Sequence, residues 1–256
     1  MKPQYKMVGA VWLHMGKIFF KPHERSGNIV VFTNQVAHYL INVLRLRVGD
    51  AVLLCDGMCT DYASSVLSIK SKPLSISFSL GGSSASLSEL PIKINLYQGI
   101  PKGDKLDWIT EKCIELGIYS ITPVLTERSV VKLQDAQKRV ERLSRIAESA
   151  ASQCMRGILP IINAPQSFSD VLKNENDDLL LVAYENEKET NLKFLLSPVN
   201  PRNISLWVGP EGGFADNEIT MLKDNNAATF NLGARILRTE TAAMVVLAQI
   251  QCIWDF

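Results

Sequence analysis

The sequence predicts an α/β protein in which a parallel sheet follows a small β-barrel. After about residue 83, strand and helix patterns alternate, and strands such as Leu179–Val182 are apolar throughout, which is typical of parallel sheets covered on both faces. Before that point, short β-rich runs lie between turn residues. The two parts are separated by a Gly/Ser stretch at residues 81–86, which has the composition of a flexible linker.

The chain of 256 residues is long enough for two domains, each with its own core. We predict an N-terminal extension of uncertain status at residues 1–14, a barrel at residues 15–82 and an α/β domain at residues 83–256. Residues 1–14 are set apart because Met15 precedes the first clear strand. No apolar run in the sequence reaches the length of a membrane span.

The barrel is predicted from five short strands and one helix. The strands are expected at residues 18–20, 29–32, 51–55, 62–69 and 74–80. The helix is expected from about Gln35 to Leu46, with Val36, Leu40, Val43 and Leu44 on its apolar face.

The α/β domain is predicted from five strands and four longer helices. The strands are expected at residues 92–99, 120–125, 179–184, 204–208 and 229–232, and the helices at residues 102–116, 135–156, 216–224 and 240–254. The last helix is apolar almost all round, which predicts burial in a core or an interface.

Charge and cysteine content restrict the class of protein. The net charge is +1, but residues 1–80 hold nine Lys and Arg against four Asp and Glu, so the N-terminal third could meet phosphate or could reflect ordinary scatter. The five cysteines lack a C-x-x-C pair, and with three histidines they give no zinc spacing, so no metal is expected. Scattered free thiols favour a reducing compartment and hence a cytoplasmic protein.

A glycine-rich turn at residues 208–214 is the strongest local sign of a ligand site. The segment V-G-P-E-G-G-F joins a strand to a helix that Asp216 is expected to cap. Such turns at the carboxyl ends of parallel strands are where open α/β sheets bind ligands. Phosphate fingerprints such as G-x-G-x-x-G are missing, and Glu211 would repel phosphate, so a cofactor with hydroxyls, an amine and a sulfonium cation fits better.

A second strand-to-helix turn spans residues 232–242 and carries two arginines, two threonines and a glutamate within seven residues. Thr239 could cap the following helix, and Ile236 and Leu237 argue against full exposure of the turn. A solvated helix start with an Arg–Glu pair is the alternative interpretation.

These two turns together closely resemble the RsmE family of 16S ribosomal RNA uridine-N3 methyltransferases, within the SPOUT superfamily. The matching motifs are G-P-E-G-G-F and L-G-x-R-I-L-R-x-E-T-A. Residues 38–50, 112–129 and 147–160 resemble further family segments in the expected order, and Lys17 stands where the family often carries arginine.

The resemblance implies a PUA-like barrel followed by a SPOUT domain with a C-terminal trefoil knot, acting as a homodimer on 16S rRNA in the 30S subunit. It implies that S-adenosyl-L-methionine (SAM) binds to the loops of the knot. The corresponding residues are Gly209, Pro210, Glu211, Gly212, Gly213, Leu232, Gly233, Ile236, Leu237, Arg238, Thr241 and Ala242.

Methylation at uridine N3 requires help with the proton on that nitrogen. Arg235 and Arg128 are candidates for stabilising charge on the uracil oxygens, and Glu240 is a candidate base or an ion-pair partner of an arginine. The candidate RNA contacts are Lys17, Arg45, Arg47, Lys102, Gln153 and Arg156.

Two other functions compete with this one. A non-catalytic RNA-binding or ribosome-assembly protein is disfavoured by the intact turn motifs, and a Rossmann-like oxidoreductase by the missing phosphate fingerprint. Measurement of SAM binding would separate the methyltransferase from both.

Overall fold

The computed structural model describes residues 16–129, 135–197 and 201–254. The predicted extension at residues 1–14 lies outside the described residues. The chain divides into two compact units. The N-terminal unit comprises the described residues up to Glu89 together with Ala151–Leu159, and the C-terminal unit comprises Leu90–Ala150 and Pro160 onward.

The N-terminal unit is built on a six-stranded sheet with the order β1-β4-β5-β6-β3-β2. Its strands are β1 (Ile18–Phe19), β2 (Arg25–Ser26), β3 (Ile29–Thr33), β4 (Ala51–Cys55), β5 (Thr60–Ser71) and β6 (Leu74–Ala85). All five predicted strands are present, and all neighbours pair antiparallel except β1 and β4. Alternate residues of β3 point inward, so Val30 and Phe32 join the core while Ile29 and Val31 stay partly exposed.

The predicted helix at residues 35–46 forms in a different geometry. It begins as the α-helix α1 (Asn34–His38) and continues as a π-helical turn at Tyr39–Val43. A π-turn takes one more residue than an α-turn, so it rotates the following side chains away from a regular apolar stripe. Leu40 is buried as predicted, whereas Val36 and Val43 are exposed.

The Gly/Ser stretch at residues 81–86 is not a flexible linker in the structure. Strand β6 continues through it to Ala85 and pairs with the start of β5. The division between the units instead follows Glu89, and the N-terminal unit also recruits Ala151–Leu159 from later in the chain. This unit is therefore discontinuous in sequence, and cutting the chain near residue 87 would remove the partners of that later segment.

Two of the predicted RNA contacts take part in buried ion pairs within the N-terminal unit. Lys17 is 3% exposed, and its ammonium lies 2.7 Å from Asp61 and donates to Ser86. Arg156 is also 3% exposed and pairs with Glu89. Both charges are therefore enclosed with their partners in the single chain, and their contact with RNA stays a prediction.

Glu89 binds the segment Ala151–Leu159 through backbone amides as well as through Arg156. Its carboxylate accepts hydrogen bonds from Arg156 Nε and from the backbone amides of Gly157 and Ile158. Burial works to raise the pKa of Glu89, but Arg156 and these amides outweigh burial and hold the pKa below its usual value.

The C-terminal unit contains seven strands and six helices among the described residues. The strands are β7 (Lys93–Gly99), β8 (Ser120–Leu125), β9 (Ile161–Ile162), β10 (Gln166–Ser167), β11 (Leu179–Ala183), β12 (Asn203–Val208) and β13 (Ala228–Phe230). The helices are α2 (Lys105–Glu115), α3 (Ala136–Gln153), α4 (Phe168–Lys173), α5 (Leu192–Leu196), α6 (Asp216–Asp224) and α7 (Thr239–Trp254). The short elements β9, β10, α4 and α5 were not predicted.

The strands of this unit form one parallel sheet with the order β10-β8-β7-β12-β11-β13, and β9 pairs with β8. This confirms the predicted parallel sheet. From β7 the chain continues to the neighbouring strand β8 on one side of the sheet. From β12 it passes β11 and reaches β13 on the other side of the sheet. Such a reversal opens a crevice at the carboxyl ends of the strands.

Helix α7 covers part of this sheet and packs against α2, α5 and β12. Its buried side is formed by Ala242, Ala243, Val246, Leu247 and Ile250. The helix is thus buried on one face, and its opposite face keeps partly exposed apolar residues. Within the described ranges, no helix combines the length and apolarity needed to cross a membrane.

Candidate active site

A cleft of about 540 Å³ lies at the carboxyl ends of β11, β12 and β13. Its walls are the turn after β12 and the turn between β13 and α7. The residues predicted to bind a cofactor all line it except Thr241, and so does the catalytic candidate Arg235. The structure therefore brings together two turns that are about 20 residues apart in sequence.

The first turn is held in shape by its own backbone and by Arg128. Gly213 adopts a φ of +67°, which favours glycine, and its amide donates to the carbonyl of Pro210. A Cβ on Gly209 would lie 3.1 Å from Gly213, so the turn closes tightly on itself. Arg128 Nη1 donates to the carbonyl of Gly212 from outside the turn at 3.0 Å.

The helix after this turn is capped differently from the prediction. The N-cap residue of α6 is Ala215, and Asp216 is the first helical residue. The carboxylate of Glu218, which is 4% exposed, accepts from the amides of Ala215 and Glu127. Glu218, the third residue of the helix, thus supplies acceptors at the helix start, where the alanine side chain has none.

Glu211 is committed to an ion pair. Its carboxylate lies 2.7 Å from Lys105 Nζ and also accepts from the backbone amide of Lys102. Burial works to raise the pKa of Glu211, but the hydrogen bonds from Lys105 and the backbone outweigh it and hold the pKa below its usual value. The same hydrogen bond raises the pKa of Lys105. Glu211 therefore stays ionised and is a weak base at neutral pH.

Thr239 connects the two turns. It is 6% exposed, and its hydroxyl donates to the carbonyl of Gly209 at 2.5 Å and accepts from Gln98 Nε2 at 2.8 Å. Gln98 is fully buried at the end of β7, and its amide also donates to the carbonyl of Gly99. The hydroxyl of Thr239 therefore ties α7 to β12 and β7, and the predicted capping role is wrong.

The second turn is open. Gly233, Ala234, Arg235 and Arg238 are exposed, and Ile236 is 85% exposed. The expected burial of Ile236 is therefore wrong for the single chain. Its start is fixed by Asn231, which accepts from the Gly233 amide and donates to the carbonyl of Thr190.

The three catalytic candidates occupy different positions. Arg235 lines the cleft, and Arg128 contacts the first turn from behind. Glu240 is the second residue of α7, and its Oε2 lies 3.8 Å from Lys105 Nζ. That oxygen is buried and has no hydrogen-bond partner among the described residues.

The remaining RNA candidates are at the surface. Arg45, Arg47, Lys102 and Gln153 are all exposed. Arg45 follows the π-helical turn and has a φ of +57°, which is uncommon for a residue other than glycine. Their contact with RNA stays a prediction.

Several residues of the cleft were not predicted from the sequence: Lys105, Ala183, Tyr184, Glu185, Asn231, Ala234 and Thr239. Ala183, Tyr184 and Glu185 lie where β11 ends. The rule that identified the other two turns, a ligand at the carboxyl end of a parallel strand, could also have found these three. A Cβ on Gly213 would overlap the carboxylate of Glu185, which therefore lies against the glycine-rich turn.

A parallel sheet with glycine-rich turns around a cleft at its carboxyl edge defines a ligand-binding α/β protein. Comparison with known proteins gives the class. Residues 88–251 match a family described as an RNA methyltransferase domain, and residues 32–79 match an RNA methyltransferase PUA domain.

Individual relatives agree with this assignment. The chain is 38% identical over 229 residues to ribosomal RNA small subunit methyltransferase E of Bacillus subtilis, covering 85% of this chain and 88% of the relative. A crystal structure of ribosomal RNA small subunit methyltransferase E from Neisseria gonorrhoeae bound to S-adenosyl methionine is 28% identical, with a TM-score of 0.84 and coverage of 95% and 100% of the two chains. A Legionella pneumophila methyltransferase solved with bound SAM is also 28% identical, with a TM-score of 0.84 and coverage of 93% and 97%. The chain therefore belongs to this family of RNA methyltransferases.

Proposed function

We propose that this protein transfers a methyl group from SAM to N3 of a uridine in 16S rRNA of the small ribosomal subunit, in the cytoplasm. The observation that carries the proposal is the cleft formed by the two turns, in a chain of the RNA methyltransferase family. The names of the relatives support small-subunit rRNA as the substrate. The cytoplasmic location is supported by this substrate and by five free cysteines.

The cleft suits SAM in size and charge. Its volume of about 540 Å³ is in the range of small-molecule sites. Two carboxylates, Glu185 and Glu211, and three cations, Lys105, Arg235 and Arg238, line it, so the lining offers partners for the sulfonium and ammonium groups of SAM and for its carboxylate. The tight first turn brings its backbone groups close to a ligand, and Val208, Leu237 and Ala242 offer apolar surface for an adenine ring.

When bound, SAM supplies an electrophilic methyl group. The residues of the chain must then position the uracil and deal with the proton on N3. Lys105 is held by Glu211 and gives the cleft a fixed positive charge. Arg235 is exposed in the cleft lining and is the candidate for stabilising negative charge on a uracil oxygen.

Glu240 is the candidate base, because Glu211 is committed to Lys105. Its buried Oε2 has no hydrogen bond among the described residues and lies beside the Lys105 ammonium. The alternative is that Glu240 serves only as an ion-pair partner of Lys105. A Glu240→Gln variant separates the two, since loss of a base removes the acidic limb of the kcat profile with pH, whereas loss of an ion pair lowers stability and leaves that limb in place.

We also propose that the protein acts as a homodimer through α7. The face opposite its buried side presents Thr241, Val245, Ala248 and Cys252 at helical spacing, and none of them is buried in the single chain. A second copy is the occupant that this small apolar stripe suits, since the start of the same helix borders the cleft. Ala248→Glu should give a monomer by light scattering with reduced methyl transfer, whereas a monomeric wild-type protein with full activity would contradict this part of the proposal.

The whole function is tested by two measurements. Calorimetry should detect binding of SAM and no binding of NAD. Methyl transfer from labelled SAM to 30S subunits that lack the modification, followed by nucleoside analysis, should yield 3-methyluridine. A ribose or carbon methylation would refute the assignment of N3, and absence of SAM binding would refute the methyltransferase itself.

A further inference from the structure

A second cavity, of about 400 Å³, lies within the N-terminal unit. It is lined by Phe20, Pro22, Arg25, Gly27, Asp56 and Met58, which we call the N-terminal pocket. These residues come from two segments of the chain. The first runs from Phe20 through β2 to Gly27, and the second is the loop that follows β4. None of them belongs to the cleft described above.

The pocket has an apolar base and an adjustable rim. Phe20 is 5% exposed, so its ring is fixed in the core, where it packs edge-on against Tyr62 with centroids 5.7 Å apart. Met58 is 69% exposed, although its backbone is fixed by a bridge to Ile158. A thioether on a fixed backbone can fold over a flat ligand.

Arg25 is held in place before any ligand arrives. Its guanidinium carbon lies 4.9 Å from the centre of the Tyr62 ring, Nη1 donates to the Tyr62 hydroxyl, and Nε donates to the carbonyl of Gly27. An exposed arginine with three such contacts has lost most of its rotational freedom. Its planar group is therefore ready to stack on an aromatic ring or to bind a phosphate.

Asp56 provides a directed acceptor in the same pocket. Its Oδ1 accepts from the amides of Met58 and Thr60 at 2.8 and 3.1 Å, which orients the carboxylate and leaves Oδ2 to accept from a ligand. A free phosphate would be repelled by this carboxylate. The ligand that fits therefore presents N–H groups to Asp56 and a flat ring to Phe20 and Met58.

A nucleobase has this chemistry, and single-stranded RNA is recognised by such stacking and edge contacts. Lys21 and His23 flank Pro22 of the pocket in sequence and are exposed, so they are available to the phosphates of a bound strand. Of the four bases, guanine offers two adjacent N–H donors on one edge. The N3–H of uracil lies between two oxygens, and the amino groups of adenine and cytosine lie beside an acceptor nitrogen.

We propose that the N-terminal pocket binds an unpaired guanine of the RNA substrate, with Asp56 accepting from its Watson–Crick edge and Arg25 engaging its ring or phosphate. The proposal rests on the RNA methyltransferase function given above. It adds a second contact to RNA that is separate from the uridine to be methylated.

The test uses the full-length protein labelled with ¹³C at the methionine methyl groups, with the Met58 signal assigned through Met58→Leu. Titration with guanosine monophosphate should shift the Met58 signal, and uridine monophosphate should bind at least about fivefold more weakly. Asp56→Asn keeps an oxygen for the Met58 and Thr60 amides but replaces Oδ2 with a donor, so guanosine monophosphate should bind at least about fivefold more weakly to this variant.

Asp50→Asn is the matched control, because Asp50 also accepts from a backbone amide, that of Arg47, but lies outside the pocket. It should leave nucleotide affinity unchanged. Equal affinity for guanosine and uridine monophosphate, an unshifted Met58 signal, or an Asp56→Asn variant that binds like the wild type would each overturn the proposal. Because these outcomes are independent of SAM binding and methyl transfer, the pocket can fail while the proposed function stands.

Discussion

The two turns that form the cleft are built in opposite ways. The turn at Gly209–Gly213 is braced by Arg128, by the pair of Glu211 with Lys105, and by its own backbone. The turn between β13 and α7 is anchored at its ends by Asn231 and Thr239, and the residues between them are largely exposed. The wall formed by the first turn is therefore in place before a ligand binds. The wall formed by the second turn keeps exposed side chains that a ligand or partner can contact.

Because of this difference, substitutions in the two turns should affect the stability of the chain and ligand binding in different ways. Changes in the braced turn should disturb the wall itself, whereas changes in the open turn should spare the folded chain and act on the bound state. Thr239 joins the two turns, so its loss should affect both.

The largest effect is expected from Gly212→Val in the braced turn. A Cβ at this position would lie 3.3 Å from Arg128 Cβ, and the two further methyl groups of valine would crowd the arginine and the cleft. Overpacking costs about 1–3 kcal/mol, so SAM affinity measured by calorimetry should fall about 10- to 100-fold while the far-ultraviolet spectrum is retained. Gly82→Val, where a Cβ would meet nothing within 4 Å, is the control. Unchanged SAM affinity in Gly212→Val would show that the cofactor lies elsewhere.

A smaller but broader effect is expected from Thr239→Val. This variant keeps the shape of the side chain but removes the hydrogen bonds to Gly209 and from Gln98, so two buried polar groups each lose their shortest partner. The free energy of unfolding should fall by about 1–3 kcal/mol in urea, and SAM affinity should fall with it. Thr220→Val changes the same residue type at an exposed position of α6, outside the cleft lining. Equal stability of the two variants would mean that the bridge does not join the turns.

Ile236→Ala should separate binding from stability in the open turn. Because Ile236 is 85% exposed, its truncation should change the free energy of unfolding by no more than about 0.5 kcal/mol. If ligand or a partner chain covers the side chain, SAM affinity or methyl transfer should fall about three- to tenfold. Ile161→Ala removes a half-exposed isoleucine outside the cleft and should change neither. A clear loss of stability in Ile236→Ala would contradict the view that this turn is open.

The smallest effect is expected from Glu211→Gln, and it should depend on pH. The folded-state pKa of Glu211 lies below its ordinary value of 4.5, so the ionised carboxylate stabilises the fold above that pH. This contribution is lost as pH falls through the depressed pKa, and partial exposure keeps it small. Urea unfolding should show the wild type slightly more stable than Glu211→Gln near neutral pH, and the difference should shrink as the pH falls through the depressed pKa. A difference that grows in acid would refute the assignment.

The sequence predicted much of the fold because hydrophobic periodicity is a local property. The regular strands β4 and β8 and the helix α6 have the predicted bounds. The glycine-rich turn after β12 was found from composition alone, because few residues other than glycine permit so tight a turn. Short elements such as α4 and α5 were missed because they have too few residues to show a period.

What the sequence determined by itself was the list of parts: an α/β chain of known family, two glycine-containing turns, and an apolar last helix. The tertiary structure decided which parts meet. It enclosed Lys17 and Arg156 in ion pairs with Asp61 and Glu89, joined Thr239 to Gln98 across 141 positions of sequence, and left Thr241 outside the cleft. A charge or hydroxyl has the same sequence pattern whether it faces solvent or a partner, because its role is set by long-range contacts. Only the folded chain determines those contacts.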